Sequence, residues 1–171
     1  MHASRLGAVE WAQWTSASVG TPGTVYGRIN TVDVDVTYTG EVQDLVPNYP
    51  SWMPVNSFSG GTVFNAPPSA GGIIQLFGGK AGLNTISFSK PVIDPVLAIW
   101  SLGGNGNGAS FVFQTTQPIT IESGGPSSEY GGSSITRIGN AIYGTEGNGT
   151  IVFHGNFTEI SWTNPSVVSL K

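Results

Sequence analysis

The sequence predicts an all-β protein, an antiparallel sandwich of two sheets with a jelly-roll-like arrangement. Charged residues make up 9% of the chain, against about 25% in ordinary globular proteins, so strong helix formers are scarce. Gly and Pro together account for 36 of 171 residues (25 plus 11), as expected for a chain with many turns. Hydrophobic residues form 39% of the chain, which is enough for the core of a single domain over residues 1–171.

The strands are predicted from segments in which apolar and polar residues alternate and which are bounded by Gly, Pro, Asn or Ser. Residues 31–42 show the pattern best, since one face carries Val32, Val34, Val36 and Tyr38. The opposite face carries Asp33, Asp35, Thr37 and Thr39. The remaining predicted strands are 9–14, 24–29, 72–77, 84–89, 96–102, 110–114, 119–122, 134–138, 141–144, 150–154 and 158–163.

One long segment, residues 44–70, lacks a strand pattern. It contains Pro47, Pro50, Pro54, Pro67 and Pro68. Proline cannot donate a hydrogen bond to a sheet, so we predict a loop excursion from the sandwich here.

Charge and hydropathy restrict the partners. The formal net charge is −4, with six Lys and Arg that are scattered, so we expect no nucleic acid partner. No apolar run is long enough to span a membrane. Residues 1–8 lack the apolar core of a signal peptide, and we expect a secreted or cell-surface protein whose leader is not part of this chain. Cysteine is missing and decides nothing about the compartment.

Four stretches carry a resemblance to a known family: residues 34–42 (VDVTYTGEV), 65–72, 84–103 (NTISFSKPVIDPVLAIWSLG) and 144–165 (GTEGNGTIVFHGNFTEISWTNP). In their order they resemble exported bacterial proteins that usually carry a PEP-CTERM sorting signal. The resemblance implies a secreted or surface β-sandwich rather than a particular activity. The chain ends at Lys171 without the Pro-Glu-Pro anchor of that family.

A hydrolase would have to use His154. The only other histidine is His2, near the terminus, and the usual nucleophile, metalloprotease and phosphate-binding motifs do not occur. His154 could act as a general base with Glu146 or Glu159 as its carboxylate partner, in hydrolysis of an ester, lactone or glycoside. The alternative is a structural histidine.

Asp33 and Asp35 are the candidate metal ligands. They share a face of the strand predicted at 31–42, where two like charges repel unless solvent or a cation separates them. Carboxylates are hard ligands that suit Ca²⁺, so a calcium site is one hypothesis. A solvated face of the sheet is the other.

The segment 47–54 (PNYPSWMP) places Tyr49 and Trp52 among three prolines. Aromatic rings on a stiff loop can stack on the apolar faces of sugars with little loss of entropy. Tyr130 lies in a Gly- and Ser-rich segment and is a further candidate for ligand binding. Trp52 could instead fold inward as a lid, and we expect Trp11, Trp14, Trp100 and Trp162 to belong to the core or its margin.

Three functions follow from these patterns. The first is an extracellular or surface module that binds glycan or contributes to matrix assembly. The second is a small secreted hydrolase, with or without the help of calcium. The third is a structural surface protein without a small ligand. Whether the protein is an enzyme, and its oligomeric state, stay open.

Overall fold

The computed structural model describes residues 8–79 and 82–165 and confirms an all-β sandwich of two packed sheets. One short helix, α1 (Val55–Phe58), and two 3₁₀ turns (Asn30–Val32 and Ser69–Gly71) accompany the strands. The strands are β1 (Gln13–Ser18), β2 (Gly20–Ile29), β3 (Val34–Val42), β4 (Asp44–Val46), β5 (Ile73–Gln75), β6 (Leu83–Ile93), β7 (Val96–Leu102), β8 (Ala109–Phe113), β9 (Ile119–Gly124), β10 (Ser133–Ser134), β11 (Thr136–Ile138), β12 (Ala141–Gly144), β13 (Gly147–Phe153) and β14 (Asn156–Thr163).

The large sheet has the strand order β1-β2-β3-β6-β14-β8-β12-β11. In the small sheet β13 lies between β7 and β9, and β10 runs parallel to the first residues of β13. From β6 onward the chain crosses repeatedly from one sheet to the other, as in a jelly roll. β4 and β5 form a separate two-stranded ribbon.

The core lies between the two sheets. Phe113 on β8 of the large sheet contacts Phe153 on β13 of the small sheet, with ring centroids 4.9 Å apart and nearly perpendicular planes. Trp162 on β14 packs against both Phe113 and Tyr38. Burial of such large rings is the main source of stability in a protein with few charges.

The strand predicted at 31–42 begins only at Val34. Val34, Val36 and Tyr38 are buried as predicted, whereas Val32 is 49% exposed in a 3₁₀ turn. The boundary is set by Asp33, whose φ of 55° is in the left-handed region and is incompatible with a strand.

The excursion at 44–70 is a covering layer rather than an open loop. It contributes β4, which the sequence did not predict, and α1, which packs on β9 and β13. Phe58 and Val63 from this layer are fully buried. All residues of β13 are buried, because one face of the strand meets the large sheet and the other meets the covering layer.

Two predicted strands, 96–102 and 141–144, coincide with β7 and β12. The first strand lies later than predicted, since β1 covers Gln13–Ser18 instead of residues 9–14. Val9 and Trp11 instead hydrogen-bond to Asn65 of the covering layer. Within the residues described, we find no helical segment with the length and apolarity needed to cross a bilayer.

Candidate functional site

Three aromatic residues meet on the outer side of the small sheet: the half-buried Tyr49 and Trp100 and the exposed Tyr130. We call them the aromatic surface. Leu97 and Ile99 of β7 pack in the core, and Trp100 points away from it because side chains alternate along a strand. The left-handed φ of Ser101 (59°) and a register shift against β13 then return Leu102 to the core. Tyr49 comes from the covering layer, and Tyr130 comes from the loop that follows β9. Tyr130 is 63% exposed.

The rings of the aromatic surface are arranged around Trp100. The centroid of Tyr49 lies 5.3 Å from that of Trp100, with the planes at 82°, and the centroid of Tyr130 lies 5.4 Å away at 47°. Both separations are within the range of favourable aromatic pairs. The rings therefore form a faceted surface that offers faces and edges in different directions.

A carboxylate, Glu129, adjoins these rings. Its Oε2 accepts a hydrogen bond from the backbone N–H of Ser51 at 2.9 Å, and its Oε1 lies 3.4 Å from the indole nitrogen of Trp100. Burial alone would raise the pKa of Glu129, but the hydrogen bonds from Ser51, its own backbone and Trp100 outweigh burial and lower it. Glu129 is therefore ionised at neutral pH.

The phenol of Tyr49 responds to the same surroundings. Its pKa is raised, first by burial and then by the neighbouring Tyr130 and the negative charge of Glu129. A hydrogen bond to the Tyr130 side chain also favours the protonated phenol, so Tyr49 keeps its proton across the physiological range.

Asn148 holds the segments that carry this surface. It is fully buried on β13, and its Oδ1 accepts a hydrogen bond from the backbone N–H of Ser101 at 2.8 Å. Its Nδ2 faces the carbonyl oxygens of Gly125, Gly131 and Glu146 at 3.1–3.2 Å. Asn148 thus ties the end of β7 to the loop containing Glu129 and Tyr130.

Of the predicted ligand-binding residues, Tyr49 and Tyr130 are brought together and Trp52 is not. Trp52 is 4% exposed, and its ring packs edge-on against Phe58 with centroids 5.1 Å apart. A buried ring leaves no face for a sugar, so the prediction for Trp52 is corrected. The alternative, a lid folded onto the sandwich, is the arrangement found.

His154 follows β13 and joins a chain of hydrogen bonds. Its Nε2 lies 2.8 Å from the Oγ1 of Thr120, which in turn lies 3.1 Å from the Oε2 of Glu122. Burial would raise the pKa of Glu122, but hydrogen bonds from Thr62 and Thr120 and the nearby His154 lower it. Because the Thr120 hydroxyl has one proton, its donation to Glu122 requires the Nε2 of His154 to donate to Thr120.

The carboxylates predicted to assist His154 lie elsewhere. Glu146 precedes β13 and accepts a hydrogen bond from the Ser101 hydroxyl, whereas His154 follows the same strand. Eight residue steps along an extended strand separate them by roughly 26 Å. Glu159 is exposed on β14 of the large sheet, where it lies opposite Ser87. Glu122 is the carboxylate connected to His154.

Asp33 and Asp35 are paired with cationic side chains of the protein. Arg28 contacts both carboxylates, reaching Asp35 at 2.6 Å, and Lys90 lies 3.3 Å from Asp33. Both aspartates are exposed. In the parts of the chain given above, no group of three or more His, Cys, Asp or Glu residues is placed to hold a metal ion. Calcium binding by these aspartates stays a prediction.

Two small clefts lie outside the sites described so far. One, of about 200 Å³, is lined by Glu10, Trp11, Asn30, Thr31 and Pro68, among others. The other, of about 230 Å³, adjoins the buried Glu41, whose carboxylate accepts hydrogen bonds from the backbone N–H groups of Phe77 and Gly78. Those bonds give Glu41 a structural role in holding the chain after β5.

Sequence reasoning missed Trp100, Glu129 and Glu122. Trp100 lies in a strand pattern for which the sequence predicts the core or its margin, whereas its alternation with the buried Ile99 gives an outward-facing ring. Glu122 shares a strand face with Thr120, which was a usable signal. Glu129 stands in a loop, and nothing in its neighbours along the chain indicates Trp100 or Ser51 as partners.

Comparisons with protein-family models, curated proteins and solved structures each find no significant match to this chain.

Proposed function

We propose that this protein is an extracellular or surface module that binds glycans through the aromatic surface. The observation that carries the proposal is the convergence of Tyr49, Trp100 and Tyr130 around one partly exposed indole. Sugar rings have apolar C–H faces that pack on aromatic rings, while their hydroxyl groups need hydrogen-bond partners.

Polar groups at the rim support the same ligand class. The ionised Glu129 can accept hydrogen bonds from sugar hydroxyls, and the phenols of Tyr49 and Tyr130 can donate or accept them. Hydrogen bonds fix the loops that form the site. The backbone N–H of Ser51 donates to Glu129, and the side chain of Asn148 donates to the carbonyl of Gly131, next to Tyr130. A rigid site loses little entropy on binding.

Export is part of this proposal. The chain has few charges and many Gly-rich turns, and its resemblance to exported bacterial proteins favours a secreted or cell-surface location. A glycan-binding module in that location could contribute to matrix assembly.

The test is affinity electrophoresis in gels that contain neutral polysaccharides, followed by calorimetry with oligosaccharides. Tyr130→Ala and Trp100→Ala should each weaken binding about tenfold or more, since central aromatic residues dominate such interfaces. Tyr26→Ala is the matched control, because Tyr26 is 54% exposed on β2 of the other sheet. Unchanged retention of the Tyr130 and Trp100 variants would refute the site.

A second candidate is hydrolysis, supported by the chain from His154 through Thr120 to the ionised Glu122. Here His154 would act as general base toward water through its Nδ1, because its Nε2 donates to Thr120, in cleavage of an ester, lactone or glycoside. His154→Ala should abolish turnover of a substrate panel with little change in melting temperature. Retained turnover would exclude His154 as the base, and turnover lost with a chelator would implicate calcium.

A further inference from the structure

In the described part of the chain, two carboxylates adjoin the segments that carry the aromatic surface, and neither is paired with a cation. Glu129 adjoins Trp100, and Glu146 accepts a hydrogen bond from Ser101, the residue after Trp100. Within residues 8–79 and 82–165, neither carboxylate forms an ion pair. Arg28 and Lys90 are engaged with aspartates instead.

The hydrogen bonds to Glu129 leave its charge in place. Its partners, the N–H groups of Ser51 and Trp100, are neutral donors, so the carboxylate keeps a full negative charge beside three aromatic rings. The faces of such rings carry negative potential and attract cations, most strongly when the ring is an indole. Anionic ligands would be repelled by the same groups.

We propose that the aromatic surface binds a cationic glycan, one built of amino sugars whose amines carry no acyl group. This inference rests on the proposed glycan-binding function and names its ligand class. The pyranose C–H face packs on the rings, while the protonated amine reaches the Glu129 carboxylate or an aromatic face. Neutral glycans keep only the packing and hydroxyl contacts, and uronic acid glycans lose affinity through repulsion.

The experiment compares three short oligosaccharides by calorimetry at about pH 6, where the carboxylate is ionised and the amine is protonated. They are a β-1,4-linked glucosamine tetramer, its fully N-acetylated form and a uronic acid tetramer. We expect the glucosamine tetramer to bind about tenfold more tightly than the acetylated one, as for a charge-assisted hydrogen bond. Raising sodium chloride from about 0.02 to about 0.5 M should remove most of that preference.

Glu129→Gln is the central variant, because it removes the charge and keeps the shape. It should bind the free and the N-acetylated glucosamine tetramers with similar affinity. Glu159 is an exposed carboxylate on the large sheet, and the control Glu159→Gln should still bind the free tetramer more tightly. If Glu159→Gln reduces binding as much as Glu129→Gln, the attraction comes from net charge and the proposal fails.

The remaining outcomes separate this proposal from the broader function. Equal binding of acetylated and free tetramers that is lost in Trp100→Ala would overturn the cationic preference and leave glycan binding standing. No binding of any oligosaccharide would refute both. Choline is the last probe, and binding of choline as tight as that of the glucosamine tetramer would assign the site to small quaternary ammonium compounds instead.

Discussion

Replacing Asn148 tests whether one buried amide organises the candidate site. Its side chain bridges Ser101 at the end of β7 and the loop from Gly125 to Gly131. Asn148→Ala removes every one of these bonds from a position with no exposed surface. Water cannot replace the lost partners without opening the covering layer.

The loss of stability follows from the hydrogen bonds of the side chain. The Nδ2 of Asn148 has two protons for the three carbonyl groups that it faces, so the side chain makes about three effective bonds, each worth about 1 kcal/mol. The bond to Ser101 is the costlier one, about 1–3 kcal/mol, because its loss leaves a buried N–H unpaired. Asn148→Ala should therefore lower the free energy of unfolding by about 3–5 kcal/mol.

Urea unfolding followed by tryptophan fluorescence measures this loss. Asn148→Asp keeps the acceptor for Ser101 but turns a buried carboxyl group toward three carbonyl oxygens, so it should cost at least as much as Asn148→Ala. Asn56→Ala, at an exposed position of α1, should change the free energy by less than about 0.5 kcal/mol. A loss below about 1 kcal/mol for Asn148→Ala would refute the reasoning.

Four further predictions concern the covering layer, acid, surface charge and calcium. Phe58→Ala removes a fully buried ring of the covering layer and should cost about 3–5 kcal/mol in urea unfolding; a loss under about 1 kcal/mol would mean that the layer is not anchored there. Because the folded pKa of Glu122 is lowered, its contribution to stability is present above its unfolded pKa and is lost as pH falls through the folded pKa. The melting temperature of Glu122→Gln should therefore fall less between about pH 6 and about pH 3 than that of the parent protein. An equal fall in the two proteins would contradict this. Arg28→Ala should cost no more than about 1 kcal/mol, since its ion pairs are exposed, and the cost should vanish in high salt. Calcium bound by Asp33 and Asp35 would raise the melting temperature of Arg28→Ala more than that of the parent protein, and identical melts with calcium and with chelator in both proteins would exclude that site.

The sandwich was predictable because each strand is specified by a pattern of neighbouring residues. In β3 the buried Val34, Val36 and Tyr38 alternate with less buried residues, and this period of two is visible in the sequence itself. Strand ends were harder. The start of β3 depends on the left-handed conformation of Asp33, and no pattern around residue 33 distinguishes that conformation from a strand.

The candidate site was predicted in part. The stiff loop around Tyr49 and the loop position of Tyr130 could be predicted from composition, since proline and glycine have local backbone preferences that do not depend on the rest of the fold. For their shared partner Trp100 the sequence predicts the core or its margin, but the ring is half-buried on the outer face, and Trp52, from the same loop as Tyr49, is buried. Whether an aromatic ring on a loop faces solvent or the sandwich depends on where the loop lies, which its own residues do not specify.

Composition and periodicity therefore establish that this chain is a β-sandwich rich in turns, because each residue's preference for strand or turn acts over a few neighbours. Tertiary structure alone brings Tyr49, Trp100 and Tyr130 together, joins His154 to Glu122 rather than to Glu146, and pairs Asp33 and Asp35 with Arg28. The aromatic surface depends on contacts between residues 30 to 81 positions apart, and such contacts are fixed by strand order and by how the covering layer docks.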